Sequence, residues 1–75
     1  MRINDKLYNK YRLCYLMCRQ TLNRLHEDEA ISDEQYRIQS DQIINAPSGI
    51  ENALPYLEEI LENLRNLYIK EAEGD

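Results

Sequence analysis

The chain is 75 residues long and carries nine basic and fourteen acidic side chains, for a net charge of −5 at neutral pH. A chain of this length forms one domain at most and buries only about 60–65% of its extended surface, so a second copy or a bound partner is a natural source of stability. Val, Phe and Trp are absent and Thr occurs once, which leaves too few strand formers for a sheet, and the reading is all-α.

The charge is unevenly placed. Residues 1–25 hold Arg2, Lys6, Lys10, Arg12, Arg19 and Arg24 against Asp5 alone, whereas residues 26–75 hold three basic and thirteen acidic side chains. The front is therefore +5 and the remainder −10. Such a split can hold two helices of one bundle together, or present faces of opposite sign to different partners.

The first segment predicts a helix over residues 4–27, with Asn4 as its N-cap and Asp5 favourable in the first turn. Leu7, Tyr11, Cys14, Cys18, Thr21 and Leu25 follow the 4,3,4,3,4 spacing of a heptad seam. The second segment predicts a helix over 33–45. Ser32 and Gln35 form a capping box, Ile31 can staple onto Tyr36, and Pro47 disfavours helix just before it. The third segment predicts a helix over 49–72 with a second capping box, Ser48 to Glu51, leaving residues 73–75 as an acidic tail. Ile50, Leu54, Leu57, Leu61, Leu64 and Tyr68 repeat the seam spacing of the first helix. Pro55 has two readings: a kink inside this helix, or the first position of a helix that opens there.

Short connections between three helices favour a small up-down-up bundle, in which the first and third run parallel and the second returns between them. The middle helix is too short to cover the whole groove between its neighbours, so a stretch of seam stays open for dimerisation or a partner to complete.

Catalytic chemistry has little to work with. There are three Ser, all in cap or helix-surface patterns, one His, and two isolated Gly, which supply neither a phosphate-cradling loop nor a nucleophile elbow. Glu51, Glu58, Glu62 and Glu73 fall on the outer face of the third helix and read as a solvated surface. Cys14 and Cys18 share one helix face and read as buried thiols in a reducing compartment. His26 lies about two turns beyond Cys18 and points elsewhere, so the set does not compose a zinc site. Neither metal nor cofactor is expected, and the protein reads as a non-enzyme.

The more specific signal lies on the first helix. Leu13, Leu16 and Met17 point away from the seam, toward the side that holds Arg2, Lys6, Lys10 and Arg24. Three apolar residues within five make this helix apolar nearly all round at its middle, a pattern of burial on more than one side. Either the second helix covers Leu13 and Met17 within the chain, or they form an exposed apolar patch ringed by basic side chains. The second option makes Arg2, Lys6, Lys10, Leu13, Leu16 and Met17 a partner-binding surface; Tyr8 and Tyr15 add aromatic area on the other flank, where a partial core role is the stronger reading for both. The partner so implied is another protein, a second copy of the chain included.

The expected function is thus a small regulator or inhibitor that acts by binding. Two alternatives share the same charges: a nucleic-acid-binding regulator using the basic stripe, which the overall −5 weakens, and an acidic nucleic-acid mimic using the third helix. The longest apolar run, Leu13 to Cys18, is far short of the roughly 20 residues that cross a bilayer, and the first ten residues lack the apolar core of a signal peptide. A cytoplasmic location without a membrane partner is the expectation.

Overall fold

The computed structural model describes residues 3–73, and side chains from residue 5 to residue 70. Three helices account for nearly all of it: α1 (Ile3–Glu27), α2 (Asp33–Ile44) and α3 (Ile50–Glu73). No strand occurs among the described residues, and the chain is a small all-α bundle. Arg2 lies outside the described residues. Asn4 sits inside the first turn of α1, because the helix already begins at Ile3.

The up-down-up course follows from which residues meet. Leu7 of α1 shares a surface hollow with Gly49, Ile50 and Asn52, and Thr21 and Arg24 share another with Arg65 and Tyr68, so α1 and α3 run parallel. Helix α2 returns antiparallel along α1. Arg19 Nη1 donates to Ser40 Oγ at 2.8 Å, Tyr36 Oη donates to Asn23 Oδ1 at 2.7 Å, and His26 Nε2 lies 2.6 Å from Asp33 Oδ1. The His26 ring also stacks on Tyr36, with centroids 4.3 Å apart.

The turn between α1 and α2 closes by backbone chemistry. Ala30 N–H donates to Leu25 O and Glu29 N–H to His26 O, the paired bonds of a Schellman motif. That motif needs a left-handed residue, and Glu29 fills it at φ 60° where glycine is the usual occupant. Helix α2 then starts with the expected capping box: Gln35 N–H donates to Ser32 Oγ and Ser32 N–H to Gln35 Oε1, both at 3.1 Å.

The start of α3 differs from the sequence expectation. Gly49, at φ 87°, occupies the cap position, its carbonyl accepting from Ala53 N–H at 2.8 Å, and Asn52 Nδ2 donates to Ser48 O. Left-handed backbone at Gly49 turns Ser48 away from the geometry that a serine capping box needs. Pro55 lies within α3, which runs unbroken from Ile50, so the helix does not open at the proline.

The core is built from Cys14, Cys18, Leu22 and Leu25 of α1, Ile43 of α2, and Leu54, Leu57, Ile60, Leu61 and Leu64 of α3, with Ile31 closing the turn end. It is broader than the two heptad seams. Leu22 and Ile60 lie off those seams and are buried, whereas Thr21 is only half-buried and Tyr68 is exposed. A coiled-coil seam faces one neighbour. Here α1 is packed chiefly by α3 and also by α2, and two neighbours require a wider apolar arc.

Helix α2 meets α1 from Asp33 to Ser40 opposite His26 to Arg19 and does not extend along the first turns of α1 and α3. Leu7, Tyr11 and Ile50 are consequently only half-buried at that end. A second opening arises because α2 and α3 barely touch apart from the Tyr56 Oη bond to Gln42 O at 2.9 Å. It forms a groove lined by Ile31, Gln35, Ile38, Gln39, Leu64 and Leu67.

Candidate interaction surface

The outer side of α1 carries the candidate site. Leu13 is 59% exposed and Leu16 45% exposed, while Met17 is partly buried against the core. Lys6 and Lys10 are exposed on the same side. Of the two options for Leu13 and Met17, cover by α2 is excluded for Leu13. Helix α2 lies against another flank of α1, where Arg19, Asn23 and His26 hold it.

Charge on this surface is poorly compensated within the chain. Among the described residues the ion pairs are Arg24 with Asp28 at 3.7 Å and His26 with Asp33, and neither involves Lys6, Lys10, Glu51, Glu58 or Glu62. The three glutamates are exposed, and the charges of Glu58, Arg65 and Lys10 all act on the Cys14 thiol, Glu58 raising it and the two cations lowering it. Beyond them, Gln20, Thr21 and Arg24 of α1 and Arg65, Tyr68 and Ile69 of α3 line a shallow hollow of about 340 Å³.

Cys14 and Cys18 are buried and unbridged, and Cys18 Sγ donates to Leu57 O at 3.3 Å. Burial, reinforced by the neighbouring Cys14, pushes the Cys18 thiol up to about 12, and burial also raises Cys14. A thiol that stays protonated is a poor nucleophile and a poor metal ligand. Both should therefore resist a disulfide reagent at pH 8 in buffer and react rapidly in denaturant, which a colorimetric thiol assay measures. The linkage sign is fixed by the same shift. Above the ordinary thiol range near pH 9 the unfolded chain ionises while the native chain does not, so stability is full below pH 9 and falls as pH rises toward 12. Replacing Cys18 with Ala should flatten that alkaline decline; an unchanged pH profile would show that the thiol does not drive it.

Sequence reasoning missed the groove between α2 and α3. Ile38 is 44% and Leu67 43% exposed there, and both stand off their helices' core-facing rows, which was the available signal. Its polar lining is only Gln35 and Gln39, so it offers no charge to select an occupant. No described helix is long and apolar enough to cross a membrane. No family model, curated protein or solved structure matches the chain.

Proposed function

We propose that the protein is a non-enzymatic helical interaction module, a small regulator or inhibitor that acts by binding another protein through the outer side of α1. The observation that supports this reading is the exposure of Leu13 beside Lys6 and Lys10 on a flank that α2 does not cover, with Leu16 exposed about 60° further round the helix toward the row that holds α2. Apolar area at the centre of an interface slows dissociation, and charges at its rim mainly set the association rate. The matching partner presents an apolar groove with an acidic rim.

The test is capture of a partner by wild-type protein and by surface variants, with binding kinetics measured on the partner so obtained. Leu16→Glu, in a residue exposed enough to leave the fold intact, should weaken binding at least about tenfold, equivalent to about 1.4 kcal/mol. Lys6→Glu combined with Lys10→Glu should slow association. Binding that survives Leu16→Glu but is lost on charge reversal at Glu58 and Glu62 would move the working surface to α3 and favour the nucleic-acid mimic. Binding to a labelled duplex that collapses between low and moderate salt would favour the nucleic-acid regulator.

A further inference from the structure

The exposed surface of α1 is continuous with one on α3. Stepping at about 100° per residue, Lys6, Lys10, Leu13, Met17 and Arg24 fall within about 60° of one another on α1. Glu51, Glu58, Glu62, Arg65 and Ile69 do the same on α3. Both strips flank the α1–α3 seam on the side away from α2, as the hollow that Arg24 shares with Arg65 and Ile69, and the Arg19, Asn23 and His26 row that holds α2, indicate. Together they make a two-helix face whose α1 half is basic at its first turns and apolar in the middle. The α3 half is acidic over its first three turns and ends on the half-exposed Ile69.

We infer that this face is the interface of a two-fold homodimer in which α1 of each copy lies along α3 of the other. This rests on the reading of α1 as an interaction surface and names the occupant as a second copy of the chain. Symmetry and charge decide the arrangement. A two-fold axis relating two copies face to face must lie in the plane of the interface. Set across the helices, it reverses one copy against the other, so that Lys6 and Lys10 lie over the already paired Arg24 end of the other α1 and Glu51 over the Ile69 end of the other α3, and Glu58 alone gains a partner, Arg65. Set along the helices, it brings α1 onto α3 twice, all four helices parallel. Lys6 and Lys10 then meet Glu51 and Glu58 of the other copy.

The levels agree. Leu7 stands beside Gly49, Ile50 and Asn52, so Lys6 and Lys10 lie at the height of the first turns of α3, where Glu51 and Glu58 project. Among the described residues none of these four has an ion-pair partner in its own chain. Leu13 and Met17 occupy the middle layer. In the last turns Tyr68 and Ile69 supply apolar contact, and Arg24 stays neutralised by Asp28. Size fits as well: a helix of about 37 Å in a face about 20 Å wide offers roughly 700 Å² per copy, close to the roughly 800 Å² that stable pairs bury on each side.

Sedimentation of the full chain at 1–100 µM tests this. Wild type should be a dimer that weakens with added salt. Lys6→Glu with Lys10→Glu, and separately Glu51→Lys with Glu58→Lys, should each raise the dissociation constant about 100-fold or more, since each places like charge on like. An equimolar mixture of the two variants should form a heterodimer. The chain carrying all four changes should again self-associate, because its α1 and α3 have exchanged signs. Helical circular dichroism shows that each variant is folded, and the mixture restores complementarity even where one variant alone is fragile. A wild-type monomer throughout this range overturns the dimer and leaves the α1 binding reading to its own capture assay. A dimer indifferent to Lys6→Glu with Lys10→Glu, or a folded four-site variant that stays monomeric, overturns the parallel arrangement.

Discussion

Truncating Leu57 to alanine is expected to cost about 3–4 kcal/mol, most of the stability available to a domain of this size. Leu57 has no exposed surface and stands where Cys18 of α1 approaches α3, its carbonyl accepting the Cys18 thiol. The small cysteine leaves the volume at that layer to be filled by leucine, and no neighbouring helix can close in, because α1 is already in contact and α2 packs on α1 and stands off α3. The lost methyls therefore leave a cavity instead of a collapsed core. Urea unfolding at fixed protein concentration measures the loss, with concentration held because association also stabilises. Leu67→Ala is the control: at 43% exposure it should cost under about 1 kcal/mol. Equal losses at the two positions would show that the core does not centre on the α1–α3 seam.

The features that local chemistry determines were legible in the residues. Ser32 and Gln35 cap α2 as their spacing demands, and the apolar rows through Cys14, Cys18, Leu57 and Leu64 face inward. What the pattern left open depends on neighbours. Ser48 carries the sequence of a capping box, yet Gly49 takes the cap, because the backbone must leave the Pro47 turn through a left-handed residue. Leu22 and Ile60 stand outside a two-helix seam and inside a three-helix core. The two options for Leu13 could not be separated by periodicity, since helical stepping says which residues share a face but not on which flank the next helix settles. Arg19, Asn23 and His26 settle it by bonding to α2, and such side-chain pairs are spread over positions that read simply as polar surface. The groove at Ile38 and Leu67 escaped for a related reason: it exists because α2 packs on α1 and stands off α3.

The same reasoning applies at Pro55, where replacement by alanine is expected to stabilise the protein by about 1–3 kcal/mol. Pro55 is the sixth residue of α3, past the first turn in which a missing N–H costs nothing, so Glu51 O loses its donor and the ring crowds that carbonyl. Pro55 is exposed, and its removal takes no packing from the core. Alanine restores the hydrogen bond at the most favourable helix propensity. For a chain this small each kcal/mol raises the melting temperature by about 4–8 °C, well within the resolution of a thermal scan. The change also bears on binding. The turn before Pro55 carries Glu51, whose carboxylate belongs to the acidic strip, and it anchors Gly49 and Ile50 beside Leu7. If the proline sets the direction of that turn, Pro55→Ala should raise stability while lowering dimer affinity, two effects that sedimentation and thermal unfolding read separately. A melting temperature that fails to rise would mean that water already satisfies the Glu51 carbonyl and that the ring imposes no strain on α3.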